Sequence, residues 1–132
     1  ITQRKLLRSR FSTATIIKPV EVTTSVIDQS FLKKVTLTIE TNYENPDFSV
    51  DSLAREFNMS VSQLNRKLNA LIDQPAGQLM RSLRLQRAAD LLAQNAGPVA
   101  QVCYQLGFND QAYFSRAFKK QFGCSPTEYK KV

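Results

Sequence analysis

The sequence has no histidine and only two cysteines among its 132 residues. Without histidine there is no ordinary general base near neutral pH, no Cys/His or Ser/His nucleophile pair, and little material for a zinc site. No catalytic residue and no metal ligand is therefore assigned, no cofactor is expected, and a hydrolase or transferase function is set aside. The two thiols, Cys103 and Cys124, sit within apolar helical patterns. There, free buried thiols in a reducing compartment are the natural reading, ahead of a disulfide. Glycine-rich runs are missing, and no apolar stretch approaches the ~20 residues needed to cross a bilayer. The reading is a soluble, cytoplasmic, globular domain without membrane contact of its own, although a longer parent protein could carry an anchor. Ile1 and the segment Arg4, Lys5, Leu6, Leu7, Arg8, Ser9, Arg10 lack the apolar core of a secretory signal, so the chain reads as a fragment of something longer.

What the sequence does have is positive charge, placed unevenly. Lysine and arginine number 18 against 11 acids, a net +7. Residues 1–27 carry +4, residues 28–59 carry −3 and residues 60–132 carry +6. An excess of this size suits an anionic partner, but much of it lies in the first 27 residues, and a merely solvated basic surface would give the same total.

Those first 27 residues are rich in Thr, Ser and Val and read as a linker or arm; residues 28–132 read as the folded body. From Asp28, the residues Phe31, Leu32, Val35, Leu37, Thr38 and Ile39 recur at helical spacing before Asn42–Asp47 breaks the run. The β-branched Val35, Thr36, Thr38, Ile39 and Thr41 locally favour a strand instead. Ser49 suits an N-cap for a short helix over Val50–Phe57, with Val50, Leu53, Ala54 and Phe57 inward. Ser60 followed by Gln63 is a capping-box pattern opening a second helix to about Leu71. A helix, a tight turn and a capped helix make a helix-turn-helix, though any small helical hairpin would look similar.

The informative feature is that the pattern recurs. Val50, Leu53, Ala54, Phe57 and Met59 correspond to Val99, Val102, Cys103, Leu106 and Phe108 at an offset of 49. Ser60, Leu64, Arg66, Leu68 and Leu79 correspond to Asp110, Phe114, Arg116, Phe118 and Tyr129 at an offset of 50. The extra residue falls in the turn, where insertion costs least. Between the copies, Ala76 to about Gln94 reads as one long helix of about 28 Å with Leu79, Met80, Leu83, Ala88, Leu91 and Leu92 on its apolar side. Ser125-Pro126-Thr127-Glu128 opens a last short helix through Tyr129.

At 100° per residue, Leu64, Leu68, Leu71 and Ile72 share one side of the first capped helix, and Ser62, Asn65, Arg66 and Asn69 share the other. In its counterpart Phe114, Ala117, Phe118 and Phe122 face inward, and Ala112, Ser115, Arg116 and Lys119 form the outer stripe. Neither stripe contains an acid. Arginine can bond bidentately to guanine, asparagine or glutamine to adenine, and alanine can touch a thymine methyl. Lys67, Asn69, Arg81, Arg84, Arg87, Lys119 and Lys120 are expected to meet phosphates, which position without specifying sequence.

The stretch GFNDQAYFSRAFKKQFGCSPTEY, Gly107–Tyr129, resembles the signature of the AraC/XylS family of bacterial transcription regulators. The likeness runs back through SVDSLAREFNMSVSQLNRKL and MRSLRLQRAADLL, covering about Phe31 to Lys131. It implies an all-α fold of seven helices, with two helix-turn-helix units joined by a long linker helix and two recognition helices in adjacent major grooves. It places the base-reading positions on Ser62, Gln63, Asn65, Arg66, Gln111, Ala112, Ser115 and Arg116; Gln63 and Gln111 come from the resemblance alone. Asp73 and Pro75 stand where Gly123 and Ser125 stand in the second copy, a departure that bears on how the linker helix is entered. The arm, with LLRSRFS and VEVTTSVIDQSFL, resembles the join to a phosphorylation receiver domain in hybrid two-component sensors. That implies control from upstream, no small-molecule ligand in this segment, and any dimerisation through upstream domains. Double-stranded DNA is thus the expected partner. The alternative is a helical protein-interaction module whose acidic first two helices contact RNA polymerase.

Overall fold

The computed structural model describes residues 25–131, so the arm, apart from its last residues, lies outside the described region. Among the described residues there are seven helices and no strand: α1 Val26–Glu40, α2 Val50–Glu56, α3 Val61–Ile72, α4 Ala76–Ala93, α5 Val99–Gln105, α6 Gln111–Phe122 and α7 Pro126–Lys131. No helix among them is long and apolar enough to cross a membrane. Helix α1 opens two residues before the expected Asp28 because Ser25 caps it, its hydroxyl accepting from the Asp28 N–H at 3.1 Å. The β-branched stretch is helical despite its local strand preference. Thr36 and Thr38 donate their hydroxyls to the carbonyls of Leu32 and Lys34 one turn back, so groups that compete with helix elsewhere are satisfied within it. Phe31, Leu32, Val35 and Ile39 are buried, whereas Leu37, expected in the same apolar set, is 60% exposed.

Both helix-turn-helix units use the same turn. In α2–α3 the N–H of Met59 bonds the carbonyl of Ala54 at 3.0 Å and that of Asn58 bonds Arg55 at 3.1 Å. In α5–α6 the equivalents are Phe108 to Cys103 and Gly107 to Tyr104, both at 3.1 Å. Asn58 and Gly107 both take positive φ there, 54° and 82°. The extra residue of the second copy is Asn109, between this turn and the Asp110 cap. Both cysteines are free; Cys103 is buried with its S–H directed at the Phe108 carbonyl, 3.7 Å away, and burial raises the pKa of both thiols, favouring the neutral form.

The linker helix departs from the expected single apolar side. Ala76, Leu79, Met80 and Leu83 pack into one core with α1, α2 and α3; Leu85, Ala88, Ala89, Leu91 and Leu92 pack into another with α5, α6 and Tyr129. At 100° per residue the centres of these sets lie roughly 160° apart around the helix. The helix therefore turns one face to the first unit along its first half and nearly the opposite face to the second unit along its second half.

The two cores are filled differently at equivalent places. Met59, Leu64, Leu68, Ile72 and Leu79 in the first answer to Phe108, Phe114, Phe118, Phe122 and Tyr129 in the second. The rings form a chain, with centroids 5.0 Å apart for Phe108–Phe114, 5.8 Å for Phe114–Phe118 and 4.5 Å for Phe118–Phe122. Helix α1 packs in the first core only; the second is closed by the second half of α4 and by α7, with aromatic rings at the equivalent places.

Where the units meet, the loop between α1 and α2 lies against α4 and α5. Tyr43 packs against both cores, and the Nε2 of Gln105 donates to the Glu44 carboxylate at 2.6 Å. A Cβ on Gly107 would sit 3.3 Å from the Pro46 Cα, so this glycine answers two demands, a left-handed backbone and a close neighbour. Gly123 has φ 83° but nothing within 4 Å of a Cβ. We expect Gly107→Ala to cost at least about 1 kcal/mol in denaturant unfolding, and Gly123→Ala to cost less because only the backbone term remains.

Candidate nucleic-acid interface

The two recognition helices present their residues in one register. From 62 to 72 and from 112 to 122, the order of buried, half-buried and exposed positions is the same residue by residue. The duplication of sequence is thus a duplication of surface. Ser62, Gln63, Arg66 and Asn69 are exposed on α3; Gln111, Ala112, Arg116, Lys119 and Lys120 are exposed on α6; Asn65 and Ser115 are half-buried at equivalent places.

Capping engages part of this set. Gln63 Oε1 accepts from the Ser60 N–H at 2.9 Å while Ser60 Oγ accepts from the Gln63 N–H at 3.1 Å, closing the expected capping box. Asn65 Oδ1 accepts from the Ala76 N–H at 2.9 Å. A bidentate adenine contact uses both the oxygen and the NH₂ of an amide, so at these two positions it would compete with bonds the fold already makes. In the second unit Asp110 caps α6 alone, accepting from Ala112 at 2.9 Å and Tyr113 at 3.3 Å.

Between α4 and α6 lies a recess of about 610 Å³ lined by Arg81, Arg116 and Lys120 with Gln74, Gln78, Tyr113 and Gln121, and by no acid. Arg81 Nη1 donates to the Tyr113 hydroxyl at 3.4 Å, and Gln121 Nε2 donates to the Ser82 carbonyl at 3.1 Å, fixing the recognition helix to the linker. The sequence reading missed Tyr113 and these glutamines. Tyr113 stands 50 residues beyond Gln63, so the internal repeat was the signal that could have found it.

Three of the expected phosphate partners have other neighbours within the fold. The Lys67 ammonium sits 4.2 Å from the Phe31 ring centroid, a cation–π contact with α1. Arg84 is half-buried, and its Nη2 donates to the carbonyls of Asn45 at 3.0 Å and Phe48 at 3.4 Å, tying the α1–α2 loop to the linker. Arg87 lines a separate recess of about 680 Å³ with Tyr43 and the acids Glu40, Glu44 and Asp90, which would repel a phosphate. Burial, then Glu40 and Asp90, holds the Tyr43 hydroxyl well above its ordinary pKa, so it stays protonated. Asn69, Arg81, Lys119 and Lys120 remain exposed.

A family model described as a helix-turn-helix domain matches residues 53–131. The chain belongs to the AraC/XylS-type helix-turn-helix family. It is 36% identical over 129 residues to histidine kinase P4 of Formosa agariphila, an alignment covering 98% of this chain and 9% of that protein. It is 35% identical over 105 residues to the putative HTH-type transcriptional regulator YkgA of Escherichia coli K12, covering 80% of this chain and 44% of the relative. The chain thus spans less than half the length of either. The fold is similar to the C-terminal domain of AraT, a response regulator from Geobacillus stearothermophilus, with a TM-score of 0.69 and 28% identity over 81% of this chain and 85% of that domain.

The assignment of Arg84 to the fold is checked by stability. Arg84→Ala is expected to lower unfolding free energy by about 1.5–3 kcal/mol through loss of charge-assisted bonds. Lys119→Ala, on the exposed stripe, should stay within about 0.5 kcal/mol of the parent.

Proposed function

We propose that this chain is the DNA-binding output module of a transcription regulator, inserting α3 and α6 into successive major grooves on one face of a duplex. The observation that carries this reading is the residue-by-residue match in exposure between the two recognition helices, with Arg66 and Arg116 at equivalent outer positions. Grooves on one face recur about every 34 Å, and the 18-residue α4 spans about 27 Å, a rigid spacer of suitable scale. Ser62, Gln63 and Arg66 on α3 and Gln111, Ala112, Ser115 and Arg116 on α6 face base edges in this arrangement; Asn65, whose oxygen is held by the Ala76 N–H, is not counted among them. Arg81 and Lys120, in the acid-free recess beside Arg116, take the phosphate backbone between the grooves, with Asn69 and Lys119 flanking.

The parent protein, in this reading, is a hybrid two-component regulator controlled by upstream phosphorylation. The alignment with part of a histidine kinase and the likeness to a response regulator's C-terminal domain support it. Dimerisation belongs to upstream domains, and the recess with Glu40, Glu44 and Asp90, which shares no residue with the basic one, is the surface open to a protein such as RNA polymerase.

Sites selected from a randomised duplex pool test this directly, and protection confined to one groove would overturn it. Arg116→Ala is expected to cost about 1–3 kcal/mol on the selected duplex and much less on random duplex; equal losses would reassign it to phosphate. Arg81→Ala should lower the slope of log affinity against log salt by about one, measured by fluorescence anisotropy over a salt series.

A further inference from the structure

Asn65 makes a bond that base reading does not explain. Helix α4 begins at Ala76 after Pro75, which offers no side-chain acceptor to the helix. The first turn of a helix leaves backbone N–H groups without intrahelical partners. That of Ala76 is met from the recognition helix, by Asn65 Oδ1 at 2.9 Å across eleven residues.

The internal repeat supplies the comparison. At an offset of 50, Asn65, Pro75 and Ala76 become Ser115, Ser125 and Pro126. In that second setting the cap is local: Ser125 Oγ accepts from the Glu128 N–H at 3.2 Å, and Glu128 accepts from the Ser125 N–H at 3.4 Å. Pro126 has no N–H to satisfy, which is why proline is well placed at the first position of a helix. Position 115 therefore has nothing to bond at the equivalent place, and a short serine stands there. Where the following helix has a free N–H and no local cap, the recognition helix carries an asparagine that reaches it.

We propose that Asn65 is a positioning residue. It fastens the first recognition helix to the start of the linker helix and so sets the angle at which its neighbour Arg66 is presented to DNA. The fastening stands on the geometry alone; its consequence for Arg66 rests on the DNA-reading role proposed above. The paired use of asparagine with Ala76, and of serine with Pro126, is what this assignment explains and base reading leaves unexplained.

The test compares Asn65→Ala and Asn65→Asp with the parent over the full chain. Without DNA, Asn65→Ala is expected to lower the thermal midpoint by roughly 3–8 °C, the loss of one cap. Asn65→Asp keeps the acceptor oxygen, and its charge is favourable at a helix N-terminus, so its midpoint should stay within about 2 °C of the parent. An unchanged midpoint in Asn65→Ala, or equal losses in both variants, overturns the fastening.

On a duplex selected by the parent, well below the melting range, Arg66→Ala should weaken binding by a smaller factor in the Asn65→Ala background than alone. The base preferences of Asn65→Ala should keep the parent's pattern. Additive losses, or relaxed preference at a single base pair in Asn65→Ala, would return Asn65 to direct reading. A parent that binds no duplex would overturn the proposed function, while the melting comparison still decides the cap.

Discussion

The structure depends on one helix being buried on two nearly opposite faces. Ala76, Leu79, Met80 and Leu83 commit the first half of α4 to one core, and Leu85, Ala88, Ala89, Leu91 and Leu92 commit the second half to the other. A helix held this way cannot roll to improve one contact without exposing apolar surface at the other. Burying one leucine or methionine side chain is worth about 1.5–3 kcal/mol, so the three on each face make rolling costly. The relative orientation of the two recognition helices follows from this constraint. The Gln121–Ser82 bond and the Arg84 tether to the α1–α2 loop add specific contacts to the same helix.

The two units share a backbone plan but differ in the source of their stability. The first gains volume from α1, whose Phe31 meets Phe57 edge to face at 5.4 Å and also receives Lys67. The second is closed by the second half of α4 and by α7, and it relies on linked rings from Phe108 to Tyr129. This difference explains why Lys67, though next to Arg66 in sequence, belongs to the interior side of its helix. Its stem and charge cover a core that needs α1 to close it.

Several of the seven helices were legible in the sequence because they have a chemical beginning; α4 and α5 open after prolines without a side-chain cap. Ser49, Ser60 and Ser125 cap where their types and spacing placed them, and Asp110 caps at the place the repeat pairs with Ser60. The offset of 49 changing to 50 marks the turn and its extra residue in the sequence itself. Three things were not legible. The two faces of α4 were merged into one because an apolar count along a helix does not reveal a change of partner midway. Leu37 looked like core because local period cannot say where the neighbours stop. The neighbours of Arg84 and Arg87 were hidden because a positive charge on an amphipathic helix reads the same whether it meets solvent, a loop carbonyl or a nearby acid. In each case the missing information was the identity of the packing partner, which is long-range. The departure at Asp73 and Pro75 was visible, and the structure resolves it. Asp73 adopts the same left-handed turn as Gly123, with φ 56° against 83°, and its N–H bonds the Asn69 carbonyl as that of Gly123 bonds Lys119.

The turn thus keeps its shape, and the asymmetry between the two surfaces lies in the caps, with Pro75 standing where Ser125 caps the last helix. In the first unit the recognition helix supplies caps from its own outer residues: Gln63 closes the box at its start and Asn65 reaches the next helix. In the second, the caps come from outside the stripe, from Asp110 before α6 and from Ser125 with Glu128 after it. Tyr113, the counterpart of Gln63, is therefore free of capping and lies beside Arg81 in the basic recess. The same outward stripe is thus partly a structural element in the first copy and is left freer of capping bonds in the second. Helices with one register of exposure need not devote equal shares of it to a ligand, because whatever a local cap does not satisfy must be satisfied by a side chain that could otherwise face outward.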